Sequence, residues 1–292
     1  MKNSILITGA TGALGGMVTE KLLDNGVEDL AVLVRDPEKA TDLKEKGVEI
    51  RVGNYEDKES LLAAFKGIDK LYFVSGSEIQ NRTPLHLNVV NSAKEAGVKY
   101  IVYTSFQRKN ETESSPIAAV AESHLKTEKA ILESGMNYTL LQHGIYMDLL
   151  PAFMGEKVLE TGTIYLPAGD APVSFTLRED MANVAVEVLS GEGYENKEFV
   201  INNEEALSFE EIAKILTEIT GKNISYHSPS EEEYLQALKN AGVTDEFAGM
   251  FAGFAGAFKE GEFTDTYQNI FKITGKKPVS VREFLSRVYS NN

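Results

Sequence analysis

Residues 4–18, which read S-I-L-I-T-G-A-T-G-A-L-G-G-M-V, decide the fold of this chain. A short apolar run predicts a buried strand, and Gly9, Gly12 and Gly15 then form G-x-x-G-x-x-G directly before a helical pattern. Glycine suits such a turn because the chain bends sharply and brings bare backbone close to a pyrophosphate at a helix N-terminus. An ordinary glycine turn is the alternative, but the strand-turn-helix context favours a dinucleotide site.

Outward from this stretch, apolar strands alternate with helical patterns up to residue 142. The strands are predicted at 30–34, 48–52, 70–74, 100–104 and 138–142, and the helices at 12–24, from Pro37, and at 59–65, 84–96 and 118–133. Continuously apolar strands joined by long crossovers are typical of a parallel sheet that is covered on both faces. The sequence therefore predicts an α/β protein with a Rossmann-type, doubly wound parallel sheet.

Beyond Gly144 the alternation weakens, and the pattern becomes mostly helical from Ser208, which opens a capping box with Glu211. We predict a dinucleotide-binding domain at 1–142, to which 174–203 returns. A smaller, mainly C-terminal substrate lobe is predicted at 143–173 and 204–292.

Composition excludes several classes of protein. The 292 residues carry a formal net charge of -15, which argues against nucleic acid or an anionic membrane as a partner. There is no cysteine, and the four histidines do not form H-x-x-x-H, so no metal site is expected. A strand at the N-terminus and the lack of a long apolar run predict a soluble, cytoplasmic protein. The oligomeric state is not predicted.

Two features refine the nucleotide prediction. Arg35 stands twenty residues past Gly15, directly after the second strand, where an acidic residue would favour NAD and an arginine accommodates the 2′-phosphate of NADPH. Asp36 complicates this interpretation, although Pro37 suggests that it starts the next helix. Small residues then follow the fourth strand, where either the nicotinamide half of the cofactor or a plain turn explains them: Ser75, Gly76 and Ser77.

Further sequence segments, spread along nearly the whole chain, carry a resemblance to a known family. They are I-T-G-A-T-G-A-L-G from Ile7, V-R-D-P from Val34, K-L-Y-F-V-S-G-S-E from Lys70, H-L-N-V-V-N-S-A-K-E-A-G-V-K-Y-I-V-Y-T-S from His86, H-L-K-T-E-K from His124, S-G-M-N-Y-T-L-L from Ser134 and A-G-D from Ala168. Together they resemble the NmrA-like group of atypical short-chain dehydrogenases. Within it, the chain is similar to the branch that includes type 2 NAD(P)H:quinone oxidoreductases and triphenylmethane reductases.

The resemblance implies a set of cofactor contacts. It places the pyrophosphate on Gly9, Ala10, Thr11, Gly12, Ala13 and Leu14, the 2′-phosphate on Arg35, and the nicotinamide half against Ser75, Gly76 and Ser77. It also implies that the cofactor and substrate are bordered by His143, Gly144, Ile145, Tyr146, Met147, Asp148 and Ser174. Gln142 and His143 depart from the usual Arg-Asn of relatives, and Asn54 stands where an aspartate is common, so substrate preference is expected to differ.

The chemistry that is missing also limits the function. Conventional short-chain dehydrogenases carry Tyr-x-x-x-Lys on the helix after the fifth strand, but this helix offers His124 and Glu128. Reduction of a ketone needs a positioned acid, whereas a quinone yields a stable phenolate-type anion. We therefore predict an NADPH-dependent oxidoreductase that transfers a hydride to a quinone-like, flat aromatic acceptor. The alternative is a non-catalytic NADP(H)-binding redox sensor of the NmrA type.

No catalytic residue is assigned from the sequence, and the candidates are Tyr146, His143 and His124. His124 either donates a proton or forms an exposed pair with Glu128, and Tyr146 either contacts the acceptor or is a half-buried core tyrosine. A helically spaced aromatic row is interpreted either as core or as a lid over the acceptor: Phe247, Met250, Phe251, Phe254 and Phe258.

Overall fold

A sheet of seven parallel strands organises the computed structural model, which describes residues 4–290. Its order is β10-β6-β5-β4-β1-β2-β3. The bounds are β1 Ile5–Thr8, β2 Leu30–Val34, β3 Glu49–Val52, β4 Lys70–Phe73, β5 Tyr100–Phe106, β6 Asn137–His143 and β10 Lys197–Ile201. This is the predicted doubly wound architecture.

Thirteen α-helices accompany these strands within the described residues. Their bounds are α1 Ala13–Asp24, α2 Thr41–Glu45, α3 Lys58–Phe65, α4 Arg82–Ala96, α5 Ala118–Ser134, α6 Leu150–Met154, α7 Val158–Thr161, α8 Arg178–Ser190, α9 Phe209–Thr220, α10 Glu231–Asn240, α11 Asp245–Lys259, α12 Asn269–Thr274 and α13 Val281–Tyr289. Short parallel pairs form outside the main sheet, between β7 Ile145–Tyr146 and β9 Phe175–Thr176 and between β8 Thr163–Tyr165 and β11 Ser225–His227.

The position of β1 determines where a ligand can bind. Ile5 is in register with Leu30 of β2 on one side and with Lys70 of β4 on the other. The chain order therefore reverses between β1 and β4. In doubly wound sheets the ligand crevice lies outside the carboxyl ends of the strands at this reversal.

Alternate residues of the strands supply two separate cores. Leu6 packs with Leu71, Ile101 and residues of α3, α4 and α5 on one face. Ile7 packs with Val102 and residues of α1 and α8 on the other face. Because both faces are covered, inner strands such as β1 and β2 read as continuous apolar runs rather than as alternating patterns.

A third core is separate from the two that cover the faces of the sheet. Its large side chains include Phe153, Phe209 and Phe258, and apart from Ile117 its fully buried members fall within 145–177 and 209–289. The division of the chain stays a proposal, since Phe175 and Leu177 of the predicted returning segment 174–203 also belong to this core. Helix α12 is an exception within the C-terminal range, because Ile270 packs into the core that contains α1 and α8.

Several element bounds differ from the sequence prediction. Helix α4 begins at Arg82 rather than at residue 84, and the segment from Pro37 divides into a 3-10 helix, Pro37–Ala40, and the short helix α2. Strand β5 continues to Phe106 because it pairs with β6 over seven residues. Pro84 is accommodated in the first turn of α4, where a helix does not need the missing N–H.

The aromatic row on α11 is partly core. Phe258 is fully buried, and Phe251 and Phe254 pack partly against Phe153, so the core interpretation is confirmed there. It is wrong for the first two members of the row, Phe247 and Met250, which are exposed. They lie near the start of α11, before the helix reaches the lobe core.

No helix within residues 4–290 is long and apolar enough to span a bilayer. In the same part of the chain, no three acidic or histidine side chains are grouped so that they could bind a metal ion.

Candidate functional site

The glycine turn has the geometry that the sequence predicts. Gly9 adopts a positive φ of 65°, and the N–H of Gly12 donates to its carbonyl oxygen at 2.9 Å. A Cβ atom at Gly15 would lie 2.3 Å from that oxygen, so only glycine allows α1 to approach β1 this closely. Between them, Thr11, Gly12 and Ala13 are exposed at the start of α1. The turn therefore presents backbone at a helix N-terminus, as a pyrophosphate site requires.

Arg35 follows β2 at the same edge of the sheet. Its side chain is exposed, and within residues 4–290 it has neither a hydrogen bond nor an ion pair. Asp36 caps the 3-10 helix instead, with its Oδ1 accepting from the N–H of Glu38 at 3.0 Å. The Asp36 carboxylate therefore caps its own 3-10 helix, and Arg35 remains free to bind an anion.

Three side chains fix the turn that follows β4. The N–H of Ser75 donates to Thr104 Oγ1 at 2.8 Å, and that of Gly76 donates to His86 Nε2 at 3.0 Å. Arg82 Nε in turn donates to the carbonyl oxygen of Gly76 at 2.7 Å. All three side chains are buried, so the shape of this turn is set by α4 and β5.

These side chains belong to one buried network beneath the turn. Because His86 Nε2 accepts from a backbone N–H, the proton of neutral His86 is on Nδ1, which lies 3.0 Å from Thr127 Oγ1. Arg82 Nη1 donates to His124 Nε2 at 3.2 Å, so neutral His124 also has its proton on Nδ1, 2.8 Å from the Tyr103 hydroxyl. Both tautomers follow from donors that cannot accept.

His124 is therefore poorly suited to deliver a proton. Burial, together with the charge of Arg82, holds the pKa of His124 well below its ordinary value. At neutral pH its Nε2 accepts a hydrogen bond and its proton is directed at Tyr103. The alternative of an exposed pair with Glu128 is wrong, because both side chains are buried and each has other partners.

Glu128 is held by an ion pair. Its carboxylate accepts from Ser105 Oγ and from both terminal nitrogens of Arg108, one of them at 3.0 Å. Both side chains of this ion pair are less than a tenth exposed. Glu128, at the position of the lysine in the missing Tyr-x-x-x-Lys pair, is thus a carboxylate whose charge is compensated by Arg108.

The segment after β6 contains an unusual histidine. His143 is 1% exposed, and neither of its ring nitrogens has a hydrogen-bond partner within the described chain. Burial lowers the pKa of His143 to about 3, so its ring is neutral at physiological pH. Buried polar atoms without partners cost about 1–3 kcal/mol each. Such atoms are typical of a place where a polar ligand group binds.

Tyr146 lies next to this histidine, with ring centroids 6.4 Å apart. The guanidinium of Arg178 stacks 4.4 Å from the Tyr146 ring centroid, and the N–H of Arg178 donates to Asp148 at 2.9 Å. Burial raises the pKa of the Tyr146 hydroxyl although the charge of Arg178 opposes it. Tyr146 therefore keeps its proton at neutral pH and can donate a hydrogen bond, while Asp148 is engaged with the start of α8.

Other residues predicted to border the cofactor have side chains committed to packing. Ile145 and Met147 are buried in the core of the smaller lobe, and Ser174 Oγ donates to the carbonyl oxygen of Asn203 at 3.1 Å. A Cβ atom on Gly144 would lie 3.0 Å from Gln107 Oε1, so the backbone of Gly144 packs closely against the Gln107 side chain. Cofactor contacts at these positions stay predictions.

Sequence reasoning missed the residues that support the site. Arg82, His86 and Arg178 were not identified as contributing to it, although Arg82 and His86 are four residues apart on one face of α4. That spacing was a usable signal, but the helix was predicted to begin after Arg82. Arg178 gave no signal, because only the fold brings α8 to Tyr146.

The buried histidines make stability depend on pH. His86, His124 and His143 all have lowered pKa values, mainly through burial, whereas an unfolded histidine titrates near 6.5. The unfolded chain therefore binds more protons than the folded protein below about pH 6.5. As the pH is lowered through this range, the free energy of unfolding decreases by up to about 1.4 kcal/mol per pH unit for each histidine. Denaturant unfolding at several pH values between neutrality and pH 5 measures this slope.

His143→Gln should flatten that slope, because glutamine does not titrate, while the exposed His227→Gln should leave it unchanged. Equal slopes for the His143 variant and the unaltered protein would contradict the assignment of a neutral, buried His143.

A parallel sheet with a glycine turn at its reversal point, followed by an exposed arginine after β2, defines a Rossmann-type dinucleotide-binding protein. The model of the NmrA-like family matches residues 1–285, and the chain belongs to this family.

Relatives match the chain over its full length. Quinone oxidoreductase 2 of Escherichia coli is 36% identical over 290 residues, covering 99% of both chains. The crystal structure of the NADPH-dependent quinone oxidoreductase of E. coli complexed with NADPH superposes with a TM-score of 0.91 at 35% identity, covering 98% of this chain and 99% of that one. Citrobacter sp. triphenylmethane reductase complexed with NADP(H) gives 0.89 at 35% identity, with the same coverage.

Proposed function

We propose that the protein is an NADPH-dependent oxidoreductase that transfers a hydride to a flat, quinone-like aromatic acceptor. The observation that carries the proposal is that neither position of the missing Tyr-x-x-x-Lys pair offers an acid, because His124 directs its proton at Tyr103 and Glu128 is ion-paired with Arg108. Reduction of a ketone produces a strongly basic alkoxide that needs such a donor. A quinone produces a phenolate-type anion that water can protonate, so a site without an acid suits it.

The residues at the crevice fit NADP(H). Gly9 to Leu14 would hold the pyrophosphate, exposed Arg35 the 2′-phosphate, and Ser75 to Ser77 the nicotinamide half. Bound NADPH supplies the hydride. The chain binds and orients the two reactants, which alone can contribute much of a rate enhancement. Full-length similarity to a quinone oxidoreductase crystallised with NADPH supports this assignment.

Aromatic side chains offer a surface for the acceptor. Tyr146 provides a ring and a protonated hydroxyl, and Phe106, at the carboxyl end of β5, packs against Phe254 of α11 with ring centroids 6.3 Å apart. We propose that the acceptor stacks in this region. A cytoplasmic location is part of the same proposal.

A redox sensor is the second candidate, because a nucleotide site without an acid also suits a protein that only reports NADP(H) occupancy. The two functions differ in turnover. Purified protein should bind NADPH, followed by its fluorescence, and should accelerate its oxidation by members of a panel of benzoquinones, naphthoquinones and triphenylmethane dyes. Tight NADPH binding without oxidation by any member of the panel would favour the sensor.

A further inference from the structure

Arg82 is a buried cation without a carboxylate partner. Its side chain is 7% exposed, and it forms no ion pair within residues 4–290. Its hydrogen bonds instead go to three neutral acceptors: the Gly76 carbonyl oxygen, Ser123 Oγ and His124 Nε2. A buried charge is costly unless a partner offsets it, so an unpaired guanidinium beneath the candidate nicotinamide turn needs an explanation.

One end of this guanidinium is left free. Nε and Nη1 make the three hydrogen bonds, while Nη2 makes none in the described chain. Because Nη2 has no partner and yet is not fully buried, it lies in the small part of the side chain that solvent reaches. Two N–H donors of a fixed cation therefore remain for a ligand.

The free end lies in the region proposed for the acceptor. Arg82 Nη1 donates to His124 Nε2, and the His124 ring stacks on Phe106 with ring centroids 5.8 Å apart. Arg82 thus lies between the turn at Ser75 to Ser77, which its Nε contacts, and Phe106 of the proposed acceptor surface.

We propose that Arg82 is a catalytic residue, whose free guanidinium nitrogen binds the acceptor oxygen on which negative charge develops. The proposal rests on the proposed quinone reductase function. In that reaction the hydride brings two electrons and one proton to the quinone, giving the hydroquinone monoanion and NADP⁺, and one proton from water completes the hydroquinone. Arg82 remains a cation throughout and transfers no proton.

This role makes Arg82 a determinant of specificity. A quinone gains negative charge at oxygen, which a fixed cation stabilises. A triphenylmethane cation instead loses its charge when the hydride reaches its central carbon, so no anion forms. Replacement of Arg82 should therefore raise the ratio of dye reduction to quinone reduction, whereas general damage to the site would lower both rates together.

The first test separates binding from turnover. Arg82→Gln should lower kcat/KM for 1,4-naphthoquinone about 100-fold or more, as expected for loss of one oxyanion donor, and this loss should exceed any loss of NADPH affinity caused by the missing Gly76 contact. Arg82→Lys should restore part of the loss. The control Arg51→Gln removes a partly buried arginine that pairs with Glu49 and donates to the carbonyl oxygens of Ala64 and Lys66. It should leave quinone turnover unchanged.

The second test requires no turnover. Bound beside Arg82 in the presence of NADP⁺, 4-nitrophenol should ionise at lower pH than it does free in solution, which its phenolate absorbance reports directly. This shift should be lost in Arg82→Gln and retained in Arg51→Gln. Equal shifts in all three proteins, or a fall in quinone turnover that merely follows NADPH affinity, would overturn the proposal.

These outcomes also distinguish the two proposals. If 4-nitrophenol ionises in an Arg82-dependent way but no quinone is reduced, the proposed function fails and the anion site stands. If quinones are reduced equally well by Arg82→Gln, the role of Arg82 fails and the proposed function stands.

Discussion

Arg35→Ala is expected to weaken NADPH binding by about 10- to 100-fold while NADH affinity changes by less than about threefold. The guanidinium is exposed at the carboxyl end of β2 and has neither a hydrogen bond nor an ion pair within residues 4–290, so it is free to form charge-assisted hydrogen bonds with a 2′-phosphate. NADH has a hydroxyl at that position and does not need the arginine. Titrations of nucleotide fluorescence against both proteins measure the two affinities.

Lys39→Ala is a matched control for Arg35→Ala. Lys39 is an exposed cation four residues further on, within the 3-10 helix, and its removal changes net charge equally. It should have little effect on either nucleotide. An equal loss of NADPH and NADH affinity in Arg35→Ala would remove Arg35 from the phosphate site, and an equal effect of Lys39→Ala would show that only general electrostatics were being measured.

Gly12→Val is expected to abolish detectable NADPH binding and any turnover while leaving the protein folded. Gly12 is exposed at the start of α1, and a Cβ there would approach only the carbonyl oxygen of Gly9, at 3.3 Å. A valine side chain would occupy the space that the pyrophosphate needs at the helix N-terminus. Circular dichroism, thermal unfolding and nucleotide titration together test this expectation.

Gly15→Ala should behave differently, because it damages the fold itself. Its Cβ would lie 2.3 Å from Gly9 O and 3.0 Å from Thr8 O, so backbone must move, at a cost of about 3 kcal/mol. Gly249→Ala, on α11 with no atom within 4 Å of the new Cβ, should instead stabilise the protein by about 0.5–1 kcal/mol.

Retained NADPH affinity in Gly12→Val would contradict the assignment of the glycine turn.

Local patterns were sufficient to predict the sheet and its glycine turn. Strands such as β2 are buried on both faces, so their composition alone identifies them, and Gly15 is required by a contact with a residue only six positions away. Asp36 is similar, since Pro37 after it predicted the cap that the structure confirms. In each case the determining contact is close in sequence.

The polar support of the site could not be predicted in the same way. Arg82 is held by a hydrogen bond to His124, forty-two residues away, and Glu128 is held by an ion pair with Arg108, twenty residues away. Each side chain alone reads as an ordinary exposed helix residue. The burial of His124 and Glu128 depends on how α5 packs against β5 and α4, which helical periodicity does not specify.

This chain is proposed to transfer a hydride from NADPH to a quinone without a protein acid. The most direct measurement is single-turnover oxidation of bound NADPH by 1,4-naphthoquinone under anaerobic conditions, comparing NADPH with the form deuterated at the transferred position. We predict a slower reaction with the deuterated form and one hydroquinone formed per NADPH oxidised. Bound NADPH that the quinone leaves unoxidised, or oxidation without any isotope effect, would contradict the account.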